Sequence, residues 1–219
     1  MKHADNSSGR PPVIGIVGGL AAGKSTVARL LGKRGAVVID ADRLGHGALE
    51  LPGVKDKLIE EFGAGIVDEE GQIDRANLAE EAFRDPDQAD KLNSIVHPPV
   101  IRQIVAEIEA ATRRGEAPLI ALDAALLVEA DLHREQCDAL LYVDAPRRLR
   151  KRRAMERGMS EEQFARRTAV QASPERKKQL SDFTVENTGT IEELDARVGQ
   201  LWPELCSVES RISPPSHSF

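Results

Sequence analysis

Eight consecutive residues, Gly18-Gly19-Leu20-Ala21-Ala22-Gly23-Lys24-Ser25, fit the pattern G-x-x-x-x-G-K-[ST]. Glycines at these positions let successive backbone N–H groups approach phosphate oxygens with no Cβ in the way. The positive end of a following helix faces the same anion. In this pattern the lysine reaches the terminal phosphates and the Ser25 hydroxyl completes a Mg²⁺ shell. A short apolar run, Ala36 to Ile39, then ends in Asp40-Ala41-Asp42. A carboxylate beside a bound triphosphate can accept a hydrogen bond from an attacking hydroxyl, aim it at the γ-phosphorus and take its proton. Either aspartate alone suits a helix cap or a partner for a nearby base equally well.

A third cluster is basic. Arg147, Arg148, Arg150, Lys151, Arg152, Arg153 and Arg157 put seven cations into eleven residues. Helical spacing cannot turn all of them one way, but Arg153 and Arg157 are an i,i+4 pair that shares a side. Arginines folded over a triphosphate stabilise charge on the transferring group and exclude water. The rival use is a nucleic-acid patch, which the absence of interleaved aromatics for base stacking disfavours. Asp123, after Leu119-Ile120-Ala121-Leu122, is a strand-end carboxylate able to hold Mg²⁺ through water. Metal binding by His97 is disfavoured, since no second histidine or cysteine lies at ligand spacing.

Such residues work only if the chain supplies a rigid rim. Short apolar runs at Val13–Val17, Val37–Ile39, Leu119–Leu122, Leu140–Val143 and Phe183–Val185 alternate with helical patterns, the signature of a parallel α/β sheet. Each reads as a strand buried on both faces. The helix from Lys24 buries Val27, Ala28, Leu30 and Leu31 and stops near Gly32–Gly35. Between Arg43 and Gly115 only amphipathic segments appear: Val54–Phe62, Arg75–Phe83 and Pro98–Arg113, the last with Ile101, Ile104, Val105 and Ile108 on one face. This region, 43–115, reads as a helical insertion. Capping boxes at Ser160–Gln163 and Thr190–Glu193 open two further helices. The latter buries Leu194, Val198 and Leu201. His97 precedes Pro98 and is expected to be extended. Residues 1–12 and 207–219 are polar, Pro/Ser-rich and expected to be disordered tails.

The composition bounds the rest. With 219 residues, 41% apolar and 30% charged, the chain can build one full core. A net charge of −6 argues against general nucleic-acid or membrane binding. Cys137 and Cys206 follow no metal or redox spacing and read as thiols in a reducing compartment. No apolar run approaches a membrane span, and the N-terminus does not read as a secretory signal, so a cytoplasmic location is expected. A GTP switch is disfavoured because the chain has no Asn-Lys-x-Asp motif, and Asp68-Glu69-Glu70-Gly71 lies in a polar turn. A motor ATPase normally needs more chain.

The series GGLAAGKST, VVIDAD, NSIVHPPV, LDAALLVEA, VDAP and VENTG, in that order over roughly Val13 to Trp202, resembles the dephospho-coenzyme A kinase family. Those enzymes transfer the γ-phosphate of ATP to the ribose 3′-hydroxyl of dephospho-coenzyme A, the last step of coenzyme A synthesis. The resemblance implies an α/β P-loop fold with five parallel strands ordered 2-3-1-4-5. Its core would be 13–42, 116–146 and 182–206, with an acceptor-binding insertion at 43–115 and a helical lid at 147–181. It implies ATP and Mg²⁺ on Gly18, Gly19, Leu20, Ala21, Ala22, Gly23, Lys24, Ser25 and Thr26, with Asn187 near the adenine and Ser25 on the metal. Asp42 becomes the catalytic carboxylate, working with Lys24, Arg153 and Arg157. His97, Leu126 and Glu129 join Asp42 on the acceptor side, with Glu129 alternatively paired to a base in the insertion. The implied partner is a small-molecule substrate, with no nucleic acid or membrane, for a monomer or small homo-oligomer. Three departures stand out: Ala21-Ala22 where Gly-Ser is common, Ala125 where a proline is usual, and an arginine-rich segment more basic than the resemblance asks for. Other readings are a different small-metabolite kinase, such as a nucleoside or nucleotide kinase, or a nucleotide-dependent regulator that binds nucleic acid.

Overall fold

A computed structural model describes residues 10–82, 84, 86–115, 117–124, 127–129 and 131–210. In chain order the elements begin with β1 (Val13–Gly18), α1 (Lys24–Gly32), β2 (Val37–Asp40), α2 (Ala41–Ala48) and α3 (Pro52–Phe62). A 3₁₀ turn at Ala64–Ile66 follows, then α4 (Arg75–Ala82), α5 (Pro86–Arg114), β3 (Ile120–Asp123), α6 (His133–Gln136) and β4 (Ala139–Asp144). The chain continues through α7 (Arg147–Glu156), α8 (Glu161–Ala169), α9 (Pro174–Gln179), β5 (Phe183–Glu186) and α10 (Ile191–Cys206).

The five strands form one parallel sheet in the order β2-β3-β1-β4-β5, as expected. β1 sits in the middle and is buried at all six positions, which is why VIGIVG tolerates no polar side chain. Because every strand runs the same way, Gly18, Asp40, Asp123, Asp144 and Glu186 all end at one edge. Asp40 and Asp123 are register partners there, and Asp123 is also opposite Ile16. The edge strands depart from the expectation of burial on both faces. β2 and β5 each bury one residue of four, and Val38 is 36% exposed, because each has a neighbour on one side only.

α1 buries Val27, Ala28, Leu30 and Leu31, the four positions its periodicity selects. These pack with Ile14, Ile16, Leu119, Leu141, Val143 and Val185 of the sheet and with Leu194, Val198 and Leu205 of α10. Both expected capping boxes form, at Ser160/Gln163 and Thr190/Glu193. The described residues reach into the tails expected at 1–12 and 207–219; positions 1–9 and 211–219 of those tails lie outside the described residues. Pro11 and Pro12 are buried, and the Pro12 carbonyl accepts from Ile120 N–H at 2.8 Å, the next rung of the β1–β3 ladder. Arg10 pairs with the buried Asp138 at 2.8 Å, and Ser210 Oγ donates to the Arg10 carbonyl at 3.3 Å.

Compact packing divides the chain into residues 1–40 with 108–219, and residues 41–107. The second unit therefore begins two residues before, and ends eight residues before, the insertion expected at 43–115. It has its own core of Leu49, Val54, Leu58, Ile66, Ile73 and Leu78. α5 corrects a second expectation. It starts at Pro86, twelve residues before Pro98, and runs through Pro98 and Pro99. His97 is consequently helical, not extended. A proline removes its own N–H and disfavours helix at the preceding residue, but those costs fall within one turn, and a 29-residue helix continues around them. No helix among the described residues is long and apolar enough to cross a membrane.

Candidate functional site

The segment Gly18–Gly23 links the central strand to α1, and Gly23, with φ +101°, is the helix N-cap. Its carbonyls are claimed in alternation. Lys177 Nζ donates to Gly18 O at 3.4 Å, Arg150 Nη1 to Leu20 O at 3.4 Å, and Asn187 Nδ2 to Ala22 O at 2.7 Å. Arg153 Nη1 adds a second donor to Ala22 O at 3.4 Å. No peptide bond among the described residues is cis. A trans peptide holds its N–H opposite its carbonyl. The N–H groups of Gly19, Ala21 and Gly23 are therefore turned away from the side chains that take the carbonyls before them. Ala22 N–H closes the turn on Gly19 O at 3.0 Å. This is the geometry an anion cradle requires: outward carbonyls occupied by protein donors, inward amides left for a ligand.

Two of the glycines leave room for the side chains that grip the loop. An ideal Cβ on Gly19 would sit 2.3 Å from Arg150 Nη1, and one on Gly23 would sit 2.2 Å from Asn187 Nδ2. Ala21, by contrast, holds φ +59°, the left-handed region where a side chain costs about 1 kcal/mol or more. The local departure from the usual glycine at this place thus carries a measurable strain.

Two arginines meet in a cleft beside the loop. Gly23, Thr26, Arg153, Arg157, Asn187 and Thr190 line a cleft of about 180 Å³. Arg153 Nη2 also donates to Asn187 O at 3.1 Å and Asn187 Oδ1 at 3.2 Å, and Arg150 Nε donates to Ala145 O at 3.1 Å. Among the described residues neither Arg150 nor Arg153 has a carboxylate within salt-bridge distance. Burial, first, lowers the proton affinity of both guanidiniums. Arginine stays charged in proteins, so each is a desolvated cation that an anion would relieve.

The expected residues separate as follows. Gly18 to Thr26, Asn187, Arg153 and Arg157 come together around the loop and its cleft. Asp42 stands in the first turn of α2, two residues beyond the end of β2, and β2 passes directly into α2 at Asp40–Ala41. His97 lies inside α5, half-buried, and burial lowers its pKa from the ordinary histidine value. Leu126 and Ala125 fall outside the described residues. Glu129 finds its base in 147–181 and not in the insertion: Oε1 lies 2.8 Å from Lys177 Nζ and accepts from Ala172 N–H at 2.9 Å. Asp68 Oδ1 accepts from Glu70 and Gln72 N–H, so the Asp68–Gly71 match belongs to a self-bonded turn of the second unit.

Three residues that contact the loop are not marked by the sequence: Arg150, Lys177 and Gln171, whose Oε1 accepts from Leu20 N–H at 3.0 Å. Arg150 sits in the basic run with no local mark to set it apart. Lys177 and Gln171 lie in polar stretches that read as solvated.

The second unit holds a larger recess, about 580 Å³, walled by Leu51, Val54, Ile95, Pro98 and Pro99 with Lys57 and Arg102 at its margin. Among the described residues no group of three or more histidine, cysteine or acidic side chains could hold a metal alone.

Comparison with known proteins gives these arrangements a context. A family model described as dephospho-CoA kinase (CoaE) matches residues 12–193. The dephospho-CoA kinase of Thermobifida fusca is 40% identical over 195 residues, covering 88% of this chain and 95% of its own. That of Aquifex aeolicus is 41% identical over 194 residues, covering 88% and 96%. Among solved structures, TT1252 from Thermus thermophilus superposes with a TM-score of 0.77 at 36% identity, covering 90% of this chain and 98% of that one.

Proposed function

The chain belongs to the dephospho-CoA kinase family, and from that premise we propose that it moves the γ-phosphoryl group of ATP onto the ribose 3′-hydroxyl of dephospho-coenzyme A. The observation that carries the ATP half is the loop with its outward carbonyls held by Lys177, Arg150 and Asn187. Its inward amides and Lys24 bind the β- and γ-phosphates, while Arg153 and Arg157 meet them from the cleft. Asn187 lies beside the adenine.

In the transfer, Asp42 accepts the hydrogen bond of the 3′-hydroxyl and takes its proton as the oxygen attacks the γ-phosphorus in line. The bond from that phosphorus to the bridging oxygen of ADP breaks, and ADP leaves with the electron pair. Lys24, Arg153 and Arg157 hold the charge spread over the equatorial oxygens. His97 serves the acceptor side, as does Leu126. Lowered proton affinity keeps His97 neutral near pH 7, suited to exchanging hydrogen bonds with ribose or phosphate without adding charge. Glu129, tied to Lys177, serves the loop and not the acceptor.

The donor set fits Mg²⁺. Ser25 lies in the first turn of α1 beside the loop, and Asp40 and Asp123 are adjacent strand ends on the same edge, so the available ligands are hard oxygens. When bound, the ion would neutralise phosphate charge, with Ser25 as a direct ligand and Asp123 acting through water. An acceptor-binding role for the second unit and a lid role for 147–181 complete the proposal. So do action in the cytoplasm and a monomer or small homo-oligomer without nucleic-acid or membrane partners. The net charge of −6 supports this last point, as do arginines spent on the loop.

The test is incubation of the protein with Mg·ATP and dephospho-coenzyme A, following ADP and the product mass. Stoichiometric ADP and coenzyme A are expected. Failure to phosphorylate this acceptor, with turnover of another alcohol in a panel of nucleosides and sugars, would reassign the substrate.

A further inference from the structure

Lys177 is 1% exposed, although it lies in a stretch, Pro174-Glu175-Arg176-Lys177-Lys178-Gln179, that has every mark of a solvated helix. An ammonium is kept at such depth only when partners hold it. Lys177 has two: Glu129 Oε1 at 2.8 Å and Gly18 O at 3.4 Å. A buried ion pair of this kind contributes little to stability compared with apolar residues of similar volume. What it supplies is direction, because one N–H of a held ammonium is aimed at one carbonyl.

Six residues earlier the same segment reaches the loop again, where Gln171 Oε1 accepts from Leu20 N–H. The two contacts fall on consecutive peptides. Lys177 takes the carbonyl of Gly18–Gly19 and thereby turns Gly19 N–H the other way. Gln171 takes the N–H of Gly19–Leu20 and thereby turns Gly19 O the other way, to Ala22 N–H at 3.0 Å. Glu129 steadies both ends of the grip, through Lys177 and through Ala172 N–H at 2.9 Å.

Building on the nucleotide role proposed for this loop, we infer that Lys177 and Gln171, with Glu129 behind them, are positioning residues that form a latch on the phosphate loop. Gln171, between α8 and α9, and Lys177, within α9, carry the latch, and α7 of the same excursion carries Arg150 and Arg153. Displacing that excursion therefore undoes the shape of the loop as well as withdrawing the arginines. ATP affinity and the placement of 147–181 rise and fall together, through contacts that touch neither the acceptor nor the reacting atoms.

The paired substitution Lys177→Met/Glu129→Gln tests this, since it removes both charges and leaves neither one buried alone. ATP binding by titration calorimetry on the full chain with Mg²⁺ is read beside the KM for each substrate and the melting temperature. Melting within about 4 °C of wild type is expected, with the Kd for ATP raised about tenfold, equivalent to about 1.4 kcal/mol. The KM for dephospho-coenzyme A should stay within about twofold. A folded pair with wild-type ATP affinity overturns the latch. Should the pair not fold, Gln171→Ala decides: about threefold weaker ATP binding is expected, and unchanged binding overturns it. Wild-type protein that binds no ATP would remove the loop's nucleotide role and the latch with it, an outcome distinct from equal binding by wild type and variant.

Discussion

Asn187 Nδ2 donates to the Ala22 carbonyl at 2.7 Å and occupies the space that a Cβ on Gly23 would need. One asparagine thus fixes a peptide of the loop and enforces the glycine that caps α1. Arg153 is bonded to the same asparagine through Nη2, at 3.1 and 3.2 Å to its two oxygens. Asn187→Ala leaves Ala22 O with only the 3.4 Å bond from Arg153 Nη1 and removes one of the two oxygens of residue 187 that hold Arg153 Nη2. The Kd for ATP should rise roughly five- to tenfold, the worth of a buried hydrogen bond to a structured acceptor. Calorimetric titration with Mg·ATP checks it; unchanged affinity would mean that the loop keeps its shape unaided.

Asp42 stands at the start of α2, where the chain has just left the sheet. As the proton acceptor it contributes in the transition state and scarcely in the ground state. Asp42→Asn should lower kcat by about 10² to 10⁴ and leave ATP affinity within about twofold. Steady-state turnover with dephospho-coenzyme A, paired with ATP titration, separates the two; a retained kcat excludes Asp42 as the base.

Ala21 carries a side chain at φ +59°. Ala21→Gly relieves that strain while adding entropy to the unfolded chain, so the net gain should be about 0.5 to 1 kcal/mol. Differential scanning calorimetry should record a rise of roughly 2 °C for a chain of this size. A lower melting temperature would show that the Ala21 methyl is a packing contact that outweighs its backbone cost.

His97 has its pKa lowered by burial. The unfolded chain therefore binds the proton more readily than the folded one as the pH drops below the ordinary histidine value of about 6.5. In that range stability falls with falling pH, and the loss levels off once the pH passes below the folded pKa. Urea melts between about pH 5 and 7 should show a shallower acid loss for His97→Gln than for wild type. Parallel curves would assign the acid sensitivity elsewhere.

The sequence made much of this arrangement legible and hid a specific part of it. Val27, Ala28, Leu30 and Leu31 repeat with the helical period, and they are the residues α1 buries. The glycine pattern marked the loop, and Ser160 and Thr190 marked two helix starts, because these signals are local and the chemistry that uses them is local. Val38 misled, since an apolar edge strand looks like an apolar central one until its neighbours are known. Pro98 and Pro99 misled because a proline's preference acts on one turn, whereas α5 is held over 29 residues. Lys177 and Lys178 are adjacent and chemically identical, yet their side chains are 2% and 58% exposed. No pattern in the chain separates them. Only the tertiary fold, which places Glu129 and Gly18 against one of the two, does.

The carbonyls of Gly18, Leu20 and Ala22 receive their donors from 159, 130 and 165 residues downstream. During synthesis this amino-terminal stretch leaves the ribosome early but has to wait, since at about 5 to 20 residues per second the asparagine that completes it is made some 8 to 33 seconds later. A nascent chain halted before position 187 would carry the full glycine signature and still lack the closest of the three donors, the one to the Ala22 carbonyl.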